Sequence, residues 1–169
     1  MRYFHSSPKN LSHQLLPIIG TVTKEGVKGS TTYYVKAIET TRDRNLLSDS
    51  KVIMERYTDG LLLTFFKSDK RNFLAIPYHE ISQLRLIKGK EYVAKRSLSI
   101  MRLLLICGVS LETARYFRQG ISEYSIGETE LLLATQDMKL YMLTNGYTFS
   151  GQKRFFSQLK GIQGLQIVE

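Results

Sequence analysis

This chain of 169 residues has no tryptophan, a single cysteine and only three prolines. One cysteine cannot form an internal disulfide, so no disulfide framework holds the fold together and nothing argues for secretion. Cys107 lies inside the apolar run LLLICGV, residues 103–109, where a buried and inert thiol is expected. The three histidines, His5, His13 and His79, are scattered and have no cysteine partners. Zinc wants closely spaced Cys or His pairs, so no metal site is expected. A phosphate-cradling P-loop, a dinucleotide fingerprint and a nucleophile elbow are all missing, and no cofactor is expected either. His79 and Glu80 make an acid/base pair on paper, but beside Pro77 they read as a polar turn. Long hydrophobic runs are absent too. The best, Leu98 to Val109, is 12 residues with Arg102 inside it, short of the roughly 18–20 a membrane span needs.

Acids are the scarce charge: 15 Asp and Glu against 24 Lys and Arg, a formal net charge of +9. Between Arg85 and Arg118 stand eight bases and only two acids, Glu91 and Glu112. Such a region attracts phosphates, in anionic lipid headgroups or in nucleic acid. A merely solvated surface is the bland alternative.

Turn signals divide the rest. TTYYVKAIETT alternates and is rich in Thr, Tyr and Val, as a strand should be. KVIMERY and LLLTFFKS are apolar runs separated by Thr58-Asp59-Gly60, and an Asp-Gly pair favours a tight hairpin with positive φ. DKRN makes the next turn. FLAIPYHEISQLRLI is long enough for two strands; Pro77 cannot donate to a ladder and marks the bend between them. TELLLAT and MKLYMLT turn at Gln136-Asp137. In SGQKRFFSQLKG, Ser150 can cap a helix of about 150–160, Phe155, Phe156 and Leu159 share a face, and Gly161 suits the stop. SLSIMRLLLICGVSLETARYFRQ is leucine-rich and too long for one strand. Ser99, Arg102, Ser110 and Thr113 fall on one helical stripe and the rest of the first turns is almost wholly apolar, which predicts an inserted helix or helical hairpin, about 97–118, buried on most sides.

DGLLLTFF followed by FLAIPYHEISQLRLIKG resembles the central strands of a pleckstrin-homology-like domain, particularly the bacterial kind. KRSLSIMRLLLICGV stands where some relatives carry an apolar insertion, and ELLLATQDMKLYMLT with SGQKRFFSQLKG resembles the final hairpin and capping helix. The likeness runs from Lys51 to Gly161. It implies an α+β, mainly β fold: a strongly bent antiparallel sheet or partly open barrel of about seven strands, plugged by the C-terminal helix. Residues 1–17 are then an irregular arm closed by Pro17, 18–162 the domain and 163–169 a tail. In lipid-reading members the phosphate loop lies between the first two strands; KEGVKG, with Lys24 and Lys28, is its nearest equivalent here.

The resemblance implies little about the ligand, since that fold carries phosphoinositide, peptide and protein binding alike. The expectation is a non-enzymatic adaptor whose candidate site is Lys88, Lys90, Lys95, Arg96 and Arg102, meeting an anionic membrane surface or a protein partner from the cytoplasm. A protein scaffold that ignores lipid is the alternative. Tyr92 and Tyr116 among the bases suit stacking on single-stranded nucleic acid, a third reading. RYFHSSP also resembles the first strand of ADP-ribosyltransferases, with His5 and Ser6 in its His-Ser step, though no late glutamate completes that enzyme. Arg2, Phe4 and Ser7 match the end of a mitochondrial targeting sequence, which Pro8 interrupts early.

Overall fold

A computed structural model describes residues 2–4, 11–24, 26–40, 49–94, 99–120 and 122–169. Nine strands form one sheet in the order β1-β5-β4-β3-β2-β10-β9-β6-β11. Their ranges are β1 Arg2–Phe4, β2 Tyr33–Thr40, β3 Lys51–Arg56, β4 Gly60–Lys67, β5 Lys70–Pro77, β6 Ile81–Ile87, β9 Thr129–Thr135, β10 Met138–Thr144 and β11 Leu165–Val168. A separate two-stranded ribbon pairs β7, Glu91–Val93, with β8, Tyr124–Ile126. The helices are α1 Leu11–Ile19, α2 Ile100–Ile106, α3 Leu111–Ala114 and α4 Phe149–Ser157. The fold is thus α+β and mainly β. The sheet is mixed rather than antiparallel throughout, because β11 runs parallel to β6, and it is not closed into a barrel.

A covalent constraint curls the sheet. β5 and β6 stand six places apart in the strand order, roughly 29 Å on a flat sheet with strands about 4.8 Å apart. The three residues Tyr78–Glu80 join them, and four Cα steps reach at most about 15 Å. A flat sheet is therefore impossible. The inner faces of β2, β3, β4, β5, β6, β9 and β10 meet instead in one core with Phe149, Phe155 and Phe156 of α4 and with Leu159 just beyond it. Phe155 and Phe156 are fully buried and meet edge to face at 5.1 Å. β2 bridges the halves: Tyr33 and Tyr34 pair with β3, while Tyr34 to Thr40 pair with β10. Pro77 ends β5 at this corner as expected, and Tyr78 locks it, its backbone N–H donating to Asp59 O and its hydroxyl to Tyr57 O, both at 2.9 Å.

The first segment is not an irregular arm. β1 pairs with β5, and α1 runs through Pro17 to Ile19. The helix forms because Leu15 and Ile19 bury on the outer face of β4 and β5 against Leu62, Phe73 and Ala75. That cover explains why LLL and FLAI do not alternate: both faces are dry. Nor is the end a free tail, since Leu165 and Ile167 pack on the core as β11. The terminal helix is close to its expected span, beginning at Phe149 after Thr148, and Gly161 has the left-handed φ of 85°.

Two turns differ from expectation. Neither Asp59 nor Gly60 has positive φ. Gly60 is required for space: a Cβ there would lie 2.4 Å from Ile19 Cγ2 and 2.5 Å from the Ile76 carbonyl. The β4–β5 turn is Ser68-Asp69, with Ser68 at φ 52°, so that Lys70 to Asn72 already belong to β5. Gln136-Asp137 turns between β9 and β10 as predicted.

Two outcomes follow. Gly60→Ala forces α1 or β5 to shift and should lower Tm by about 3–10 °C; a melting curve superimposable on wild type would show the contact is not tight. The phenols of Tyr33, whose hydroxyl donates to Gln152 Oε1 at 2.9 Å, and Tyr78 are raised by burial, Tyr78 from 10.0 to about 12. The unfolded chain gives up these protons first, so stability is unaffected below pH 10 and falls as pH climbs from 10 toward 12 and beyond. Buried tyrosinate absorbance should appear only together with loss of circular dichroism. Ionisation of all ten tyrosines near pH 10 with the fold intact would contradict this.

Candidate functional site

The residues between β6 and β9 form a small head of their own. β6 and β9 pair antiparallel with Ile87 opposite Glu130, so the head grows out of a hairpin end. Its stem is the β7–β8 ribbon, with Glu91 opposite Ile126 and Val93 opposite Tyr124. The neck is backbone against backbone. A Cβ on Gly89 or on Gly146 would lie 2.0 Å from the Gly127 carbonyl, and Gly127 N donates to Lys90 O at 2.8 Å. Arg118 and Tyr147 brace it: the guanidinium donates to the Tyr147 hydroxyl at 2.9 Å and lies over its ring, and that hydroxyl donates to Tyr124 O at 3.1 Å.

Above the stem, Ser99 caps α2, its Oγ accepting from Arg102 N at 3.2 Å and donating to Glu123. Gly108, at φ 82°, ends the helix, and α3 with a 3-10 turn at Arg115–Phe117 returns the chain to β8. Two short helices thus fill the insertion expected over 97–118 as a helix or helical hairpin, but they are not buried on most sides. Its core is Met101, Ala114 and Tyr124, with Leu104, Leu105 and Ile126 packed around them. One small cluster cannot cover a helix that is apolar all round. Ile100, Leu103 and Ile106 therefore face solvent, Ile106 at 72% exposure, and Cys107 is exposed rather than buried. Ser99 of the anticipated polar stripe is buried instead, satisfied by Glu123. Tyr92, Val93, Tyr116 and Phe117 are exposed on the same head, Tyr116 at 78%.

The bases predicted as a site divide. Lys95 and Arg96 lie outside the described residues. Lys90 is exposed at the neck and Arg102 is exposed on α2. Lys88 is half buried and engaged: its ammonium meets Glu91 Oε1 at 3.0 Å and lies 5.9 Å from the Phe149 ring centroid. The hydrogen bond that Lys88 donates to Glu91 raises the Lys88 pKa, so this base is committed to an internal partner. It lines a cleft of about 240 Å3 with Arg115 and Lys153 facing Glu112 and Glu169, in which Lys153 pairs with Glu169. Three bases thus meet two acidic residues in the cleft, and two of the bases, Lys88 and Lys153, are already ion-paired. Sequence reading missed it because Lys88, Arg115, Lys153 and Glu169 come from four separate segments.

Lys24 and Lys28 do not sit between the first two strands of the main meander. They precede β2 and run beside β3, bridged at Val22–Tyr57 and Gly29–Glu55. His5 and Ser6 fall outside the described residues, as does Ser7. Among the described residues no group of three or more His, Cys, Asp or Glu could hold a metal ion, and no helix is long and apolar enough to cross a membrane. No family model, curated protein or solved structure matches the chain.

The exposed thiol gives a direct check on the head. Cys107 should react stoichiometrically with an aromatic disulfide reagent in native buffer, about as fast as in denaturant. Protection lifted only by denaturant would mean that α2 packs against the sheet.

Proposed function

We propose that this chain is a non-enzymatic binding module of pleckstrin-homology-like architecture, an adaptor that rests on anionic membrane surfaces through the head between β6 and β9. Seven antiparallel strands, β5-β4-β3-β2-β10-β9-β6, followed by α4 against their inner face, support the architectural reading. The observation that carries the functional one is where the exposed apolar side chains lie. Of the twelve large hydrophobic residues exposed among the described residues, seven (Tyr92, Val93, Ile100, Leu103, Ile106, Tyr116 and Phe117) belong to this one head.

Lys90 and Arg102 are exposed on the same head. Apolar and aromatic side chains beside bases suit shallow insertion at the headgroup boundary, with the bases on lipid phosphates. Each base near such a surface contributes about 1 kcal/mol, and the exposed aliphatic groups add the burial term. Neither contribution requires the half-buried Lys88.

Full-length protein should co-sediment with vesicles of phosphatidylserine and phosphatidylcholine and stay in solution with phosphatidylcholine alone. Leu103→Glu with Ile106→Glu, both at exposed positions, should abolish pelleting without lowering Tm. Lys90→Glu or Arg102→Glu should each weaken it about fivefold or more. Pelleting by the double glutamate variant at the wild-type level would remove this reading. Failure of the wild type to pellet, with a protein captured through the same head, would replace it by the protein-scaffold alternative.

A further inference from the structure

We propose that the outer face of β6, β9, β10 and β2 is a binding site for a single-chain acyl carboxylate. Its charged head would meet Arg85, and its chain would lie along Leu132, Tyr141, Leu143 and Ile87. The site is distinct from the head between β6 and β9 and does not rest on membrane attachment.

The pairing registers place two side-chain rows on this face. Ala37, Tyr141, Leu132 and Arg85 stand opposite one another across four strands. Beside that row run Leu143, Glu130 and Ile87. The solvent face of an antiparallel sheet is ordinarily polar. Here the leucines, the isoleucine and the tyrosine are half buried against one another and line a trough of about 410 Å3, within the roughly 300–1,000 Å3 of small-molecule sites. α1 covers the outer face of β4 and β5; no described helix covers this one.

Arg85 is the anomaly. Its Nε is sealed from solvent and has no acceptor among the described residues. The ion pairs formed among those residues leave Arg85 out, Glu130 included. A buried donor without an acceptor is costly, and a carboxylate supplies the missing partner with a charge-assisted bond. A second cation is delivered to the rim by irregular pairing. The β10–β2 register slips between Tyr141 and Met142, whose partners are Ala37 and Val35. Lys36 is the extra residue, and Lys36 and Ala37 are both exposed in succession.

An extended peptide gains little here, because β9 and β10 are paired on both sides and offer no free edge. A slender chain with one anionic end matches an apolar trough with one unmet cation. An acidic amphipathic helix is the rival occupant.

The test is titration of the full chain with dodecanoate below its micelle concentration, followed by methyl NMR. Saturable shifts are expected at Ile87, Leu132 and Leu143. Arg85→Gln, a half-exposed outward position, should weaken binding about tenfold, Glu130→Gln should leave it equal or tighter, and dodecanol should bind wild type and Arg85→Gln alike. The Leu103→Glu, Ile106→Glu variant should bind dodecanoate as wild type does, which separates this site from the membrane reading. Absence of saturable shifts in the wild type, shifts confined to the head, or wild-type affinity in Arg85→Gln would each overturn the proposal. So would an acidic helical peptide that moves these methyls while dodecanoate leaves them unmoved.

Discussion

Three residues bend this molecule. Tyr78–Glu80 tie together strands with five others between them, and a chain that short leaves the sheet no choice but to curl. The inward-facing side chains of seven strands then converge on α4, so the core is continuous although the sheet stays open. Tyr78 fixes the corner from inside through Asp59 and Tyr57. Because that phenol is buried and bonded, the corner is a packed element and not a loop.

Openness leaves two raw edges, and the chain covers part of each. β1 lies along Phe73–Ala75 of β5 and β11 along Leu84–Ile87 of β6, so part of the ladder that a seven-stranded sheet would present at each edge is paired internally. An unprotected edge is a template for unwanted pairing. The outer surface is treated unequally. Over β4 and β5 it is dry, sealed by Leu15 and Ile19 of α1. Over β6, β9, β10 and β2 no described helix lies, and apolar side chains there stand around Arg85, whose Nε has no acceptor among the described residues.

Much of this was legible in the chain. Pro77, Gln136-Asp137 and the Phe155-Phe156 pair identify the corner, the last hairpin and the stopper helix, because each is a local signal with one physical meaning. Other features turn on partners that local pattern does not name. Pro17 reads as a terminator, yet α1 continues past it, held by burial of Leu15 and Ile19 on a sheet formed far downstream. LQIV is too short to read as a strand until β6 offers it an edge. The apolar run around Leu103 and Ile106 reads as interior, since hydrophobicity records the preference of a side chain and not the supply of cover. Of the candidate bases, Lys88 was identified by charge alone, and charge does not reveal that Glu91 already holds it. Arg85 was counted among the bases of a general patch; only register shows it stranded among leucines.

The neck beneath the head has a consequence for descent. Gly89, Gly127 and Gly146 meet through main chain, so most of what passes between head and body there does not depend on matched side chains. The braces from Arg118 and Tyr124 to Tyr147 are few. Heads of other sequence can be mounted on the same waist without disturbing the body's interior. Sequence change in the head can then accumulate while the part that makes the molecule fold is left alone.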